Sequence, residues 1–121
     1  MTQIGSYRLY GLVAWALVVL GLAHTALTVV AYPRITVEAL WFAGSGVFVI
    51  VAGMMNLCVN AGVEGRGARP LLLLCASTNV VLGLLAAGFS VLTRLREPQG
   101  LVLLLLFAAA TILAVGRWHH D

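Results

Sequence analysis

One ionisable side chain, His24, stands well inside a long apolar run of this chain. Ionisable groups at membrane depth are costly to keep there, so each is a candidate for ligand, proton or cofactor chemistry. Imidazole is the mildest of them, because its neutral form needs only hydrogen bonds and can both donate and accept. A helical rise of about 1.5 Å per residue sets His24 about 10 Å below the nearer end of its helix. Gly44, Ser45 and Gly46 of the next apolar run fall at that level, as does Ala86 of the third. Such small residues leave room beside the ring. The site expected from this is a ligand-binding crevice of His24, Thr28 and Ser45, with Glu38 and Trp41 at its mouth beside the Pro33 link. A plainer reading stands next to it. His24 then bonds a hydroxyl or carbonyl of a neighbouring helix, Trp41 is an interfacial anchor, and Glu38 is a solvated acid near a helix start.

Catalytic constellations are missing from the pattern. Ser45 with His24 is the one nucleophile–base pairing at workable depth, and no third group orients that histidine. Cys58 and Cys75 form neither a CxxC pair nor a zinc spacing, and a free Cys in an apolar run behaves as a small hydrophobe. His119 and His120, beside Asp121, offer only two ligands on a terminal tail. A bis-His haem needs two intramembrane histidines per chain, and only His24 qualifies. The expectation is therefore no enzyme activity, no metal and no cofactor.

Of the other polar residues within the apolar runs, Thr25, Asn56 and Asn79 are the ones expected to make interhelical contacts inside the bundle. Counted from the near end of each helix, Asn79 is roughly 13 Å deep and Asn56 about 5 Å. With His24 they form a staggered ladder of interhelical polar contacts, each worth about 0.6–2 kcal/mol.

The elements that must carry these residues follow from composition. Of 121 residues, 62% are hydrophobic and 9% charged, with mean hydropathy +1.06. A soluble domain carries about 25% charged residues, so a soluble enzyme and a disordered tail are both excluded. The net charge of +3 comes from seven Arg against four acids. Spread along the chain, they make no basic patch for nucleic acid. Four runs reach the length of about 20 apolar residues that crosses a bilayer, at about 9–31, 37–59, 70–92 and 100–118. The first is too long for the h-region of a signal peptide and is expected to be a permanent helix. Short links force neighbouring helices antiparallel. The expected fold is one all-α domain, an integral membrane four-helix bundle running up-down-up-down. Tyr7, Tyr10 and Trp118 would anchor one interface, with Tyr32 and Trp41 at the other. Arg8, Arg66, Arg69 and Arg117 gather at the end that holds both termini, and Arg34, Arg94 and Arg96 at the other. The excess of one places the termini in the cytoplasm by the positive-inside rule.

Small residues mark where membrane helices touch, because only close backbone approach rewards their leaving lipid. The first run offers Gly11, Ala14, Val18, Gly21, Thr25 and Thr28 on one face. The second offers Ala39, Phe42, Gly46, Val49, Gly53, Asn56 and Asn60, and the third Ala76, Asn79, Gly83, Ala86, Ser90 and Thr93. Leu104, Ala108, Thr111 and Val115 make a weaker face on the leucine-rich fourth run, which is expected to be the most lipid-exposed or an oligomer contact. Val18–Leu22 (VVLGL) returns as Val80–Leu84, an offset of 62 that two tandem helical hairpins would explain.

Three functions fit these features. The first is a non-enzymatic protein that binds a small hydrophobic or lipid-like ligand, or a membrane partner, beside His24. The second is a small dimeric transporter. Length and span number resemble the small multidrug resistance family, which depends on a Glu in its first helix; no residue here matches that Glu. The third is a quinone- or haem-associated redox subunit. The expected partners are the lipid bilayer, a small hydrophobic ligand and a second copy of the chain, without nucleic acid. Abundant Ala, Leu, Gly and Arg with no Lys suggests a GC-rich bacterial genome, hence a bacterial inner membrane.

Overall fold

The structure, a computed structural model, describes residues 3–62 and 65–118. Four α-helices account for nearly all of them: α1 (Gln3–Ala31), α2 (Val37–Ala61), α3 (Ala68–Leu92) and α4 (Pro98–Trp118). All four are long and apolar enough to cross a membrane. They form an up-down-up-down bundle in which α1 packs most closely on α2 and α3 on α4, so the unit is a pair of hairpins. The Trp118 side chain and residues His119, His120 and Asp121 lie outside the described residues, as does Glu64.

Local chemistry sets the ends. Thr36 caps α2, its hydroxyl accepting from the Ala39 amide at 3.1 Å, which satisfies one of the four orphan donors of a helix start. Pro98 opens α4, where a missing N–H costs nothing. Pro70 stands third in α3, still within the first turn, so α3 begins two residues earlier than that proline suggests. The described part of α1 reaches back to Gln3, six residues before the expected span, and Gly5 is the one Gly or Pro within Gln3–Arg8. Between α3 and α4, Arg94 and Leu95 both take left-handed backbone (φ 52° and 59°). The Leu95 amide reaches back to the Ser90 carbonyl at 2.8 Å and closes the end of α3.

The α1–α2 seam is a backbone-to-backbone contact. A Cβ built on Gly21 would lie 2.7 Å from the Gly46 carbonyl oxygen, and one on Gly53 would lie 2.7 Å from Val18 Cγ2 and 2.9 Å from the Val18 amide nitrogen. The small residues foreseen on both helices therefore do face each other. The α3–α4 seam is looser. A Cβ on Gly83 would meet Phe107 Cβ at an ordinary 3.4 Å, and the tight point is Gly100, where it would lie 2.6 Å from Ser90 Oγ.

Helix α4 turns a different face inward from the one expected. Phe107, Ala110 and Ala114 are buried, whereas Ala108 and Val115 are exposed. The face expected from Thr111 is wrong because that hydroxyl needs no neighbour: it donates to the Phe107 carbonyl of its own helix at 2.7 Å. Phe107 takes the interior instead, with the two alanines making room along the same stripe. Of the four spans, α4 has the smallest buried share. At the offset of 62, buried Tyr10, Val13, Leu17 and Gly21 of α1 correspond to buried Leu72, Cys75, Asn79 and Gly83 of α3, whereas buried Gly46 and Gly53 of α2 correspond to exposed Ala108 and Val115 of α4, so the likeness lies mainly in the first helix of each hairpin.

Candidate functional site

Two polar centres lie along the bundle, one buried and one at its surface, about 16 Å apart along α2, the rise from Ser45 to Asn56. The inner one is a carboxamide pair. Asn56 Nδ2 donates to Asn79 Oδ1 at 2.8 Å and Asn79 Nδ2 donates back to Asn56 Oδ1 at 2.9 Å. Tyr10 OH donates to the same Asn56 oxygen at 2.8 Å, and Asn56 Nδ2 also reaches the Ala52 carbonyl at 2.7 Å. Both asparagines are fully buried, and Cys75 Sγ completes the ring at 3.8 Å from Asn79 Nδ2. This cluster ties α1, α2 and α3 together and turns no group toward a ligand.

The cluster corrects two expectations. Asn56 and Asn79 do not stagger. Asn56 lies five residues from the end of α2 and Asn79 eleven from the start of α3. The connecting segment lets α3 begin about 9 Å further out, which brings the two to one level. Tyr10 is not an interfacial anchor: it is 1% exposed. With α1 beginning at Gln3, Tyr10 falls two turns inside the helix and on its packed face. The anchoring role at that end passes to an unforeseen contact. Arg117 donates to the Asn60 carbonyl and Oδ1 at 2.8 and 2.9 Å, and its guanidinium lies 3.8 Å over the Tyr7 ring. It joins the end of α4 to the end of α2 and the start of α1.

The outer centre contains His24. Its ring stacks on Phe42 at 4.0 Å between centroids, and Nε2 lies 3.0 Å from Ser45 Oγ. Ser45 Oγ in turn donates to the Phe42 carbonyl at 2.7 Å. Beside them a cavity of about 280 Å³ opens between the two hairpins. One wall comes from α1 and α2 with His24, Phe42, Ser45, Phe48 and Val49, and the other from α3 and α4 with Leu85, Ala86, Phe89, Gln99, Gly100, Leu103 and Phe107 among them. The tight seams run within each hairpin, so the space is left between them. Gly100 and Phe107 close the α4 side and are buried, whereas Phe48, Leu85 and Phe89 are 60%, 65% and 42% exposed. The cavity therefore opens sideways between α2 and α3, toward what would be the acyl chains.

Of the residues expected to form the crevice, His24 and Ser45 line this cavity together. Thr28 lies outside the lining, and its Oγ1 is buried with no hydrogen-bond partner among the described residues. Trp41, 72% exposed, and Glu38, also on the surface, are not among the residues that line the cavity. Thr25 reaches across to the Ala43 carbonyl at 3.4 Å, a contact between α1 and α2. The lining residues that sequence reasoning missed include Gln99 and all four phenylalanines of the chain. They stand on three helices with no common spacing, and only Gln99, a polar side chain in the first turn of a span, could have drawn notice. No group of three or more potential metal-ligating side chains occurs among the described residues. No family model, curated protein or solved structure matches the chain.

Proposed function

We propose that this small multi-pass membrane protein is a non-enzymatic binder, holding one small hydrophobic or lipid-like molecule in the cavity beside His24. The observation that carries this reading is the cavity itself. About 280 Å³ of apolar space with only His24, Ser45 and Gln99 as polar lining is near the size and character of small-molecule sites, which are mostly apolar with a few placed polar groups. Its opening between α2 and α3 suits a ligand that arrives dissolved in the bilayer. We place the protein in a bacterial inner membrane on its composition, rich in Ala, Leu, Gly and Arg without Lys, and both termini in the cytoplasm on the arginine distribution.

Native mass spectrometry of the detergent-extracted protein tests the binding role. Wild-type protein is expected to carry a bound small molecule, and Ala86→Leu, which fills the cavity from α3, is expected to lose it while keeping its melting temperature within a few degrees. Wild-type protein released only at its bare mass, from several mild detergents, would contradict the proposal.

A further inference from the structure

The chemistry of the cavity is narrower than its size. Phe42, Phe48, Phe89 and Phe107, the whole phenylalanine complement, converge on it from three helices. The His24 ring, stacked on Phe42 with planes 24° apart, extends that aromatic wall. Aromatic faces and edges give a ring-shaped ligand an electrostatic match that an acyl chain does not gain. Size agrees. An apolar cavity of about 150 Å³ takes benzene, so 280 Å³ encloses one substituted ring or two fused rings, whereas a two-chain lipid would leave most of itself outside the opening.

The hydrogen bonds set a polarity. Ser45 has one hydroxyl proton, and the Phe42 carbonyl at 2.7 Å can only accept it. Toward His24 Nε2, at 3.0 Å, the same oxygen must then accept. The network favours the ring proton on Nε2, and in that tautomer Nδ1 is the acceptor of the neutral imidazole. A ligand that meets His24 must therefore bring a donor. Gln99 on the opposite hairpin can donate or accept toward a second polar substituent.

We propose that the cavity selects a one- or two-ring aromatic alcohol, a phenol or hydroquinone type of molecule, whose hydroxyl donates to His24 Nδ1. This rests on the ligand-binding reading above and names the class of ligand. A molecule of the same shape that can only accept leaves the imidazole acceptor unmet.

Equilibrium binding to the full chain in detergent micelles tests it with three probes: β-naphthol, its methyl ether, and the saturated alcohol decahydronaphthol. β-Naphthol is expected to bind saturably, with both other probes weaker by about five- to tenfold, the worth of one net hydrogen bond or one aromatic contact. In His24→Leu the naphthol and its ether are expected to bind alike. Should that variant fail to fold, the naphthol-to-ether ratio in the wild type decides alone. Equal binding of naphthol and ether to the wild type overturns the donor rule, and equal binding of the saturated alcohol overturns the aromatic rule. Either result leaves a ligand site standing. If none of the three binds above the micelle background and Ala86→Leu behaves as the wild type, the ligand-binding reading falls as well.

Discussion

Gly53→Ala and Gly83→Ala are the same chemical change at two seams, and the structure predicts opposite outcomes. At Gly53 the added methyl would sit 2.7 Å from Val18 Cγ2, 2.9 Å from the Val18 amide nitrogen and 3.0 Å from the Ala14 carbonyl oxygen. Two of those three atoms are backbone and cannot rotate away, so α1 and α2 must separate. Forced overpacking of this kind costs about 1–3 kcal/mol. At Gly83 the nearest atom is Phe107 Cβ at 3.4 Å, an ordinary contact. There the substitution gains the helix preference of Ala over Gly, up to about 1 kcal/mol. Gly53 gains the same helix preference, so the two variants should differ by the overpacking cost alone, about 1–3 kcal/mol, a factor of roughly five or more in the unfolding constant. Titration of the protein from mild detergent into SDS, followed by far-ultraviolet circular dichroism, measures both. Variants that agree within about 0.5 kcal/mol, or a Gly83 variant less stable than the Gly53 one, would refute the account of the seams.

Asn79→Leu should destabilise the bundle by about 1–2 kcal/mol in the same titration, since it strips Asn56 of a donor and an acceptor in a dry interior. Adding Asn56→Leu should cost less than its own single effect, and strict additivity would show that the two are not paired. Leu95→Gly should raise stability by up to about 1 kcal/mol, because φ of 59° strains a leucine that is exposed and loses little packing. A loss of stability would argue against the left-handed turn. Maleimide should label one thiol in the folded protein, the exposed Cys58, and two after SDS unfolding exposes the buried Cys75. Fast labelling of both in the folded state would displace Cys75 from the core.

The spans were legible because a bilayer demands long apolar runs and Pro33, Pro98 and the glycines of the second link punctuate them. Contact faces were legible only where size or polarity stood out. Gly21, Gly46 and Gly53 announce close approach, and Asn56 and Asn79 announce an interior. Elsewhere the contrast that orients a helix in a soluble protein is gone, since lipid and core are both apolar. For that reason Phe107 was not separable from the leucines around it, and Thr111, the one polar residue of α4 that could have oriented it, turned out to satisfy itself. Tyr10 was misplaced because its depth depended on where α1 begins, and nothing within Gln3–Arg8 marks that point. The convergence of four scattered phenylalanines on one cavity is a product of tertiary packing, with no trace in local spacing.

The central claim is that the space between the two hairpins is a ligand site lined by His24 and the phenylalanines. A crystal of the protein soaked with bromophenol, with data collected at the bromine absorption edge, locates the ligand directly. An anomalous peak inside the cavity, between His24 on one hairpin and Phe89 on the other, is the predicted result. Bromine found only among the detergent on the outer surface, with the cavity density unchanged, would contradict it.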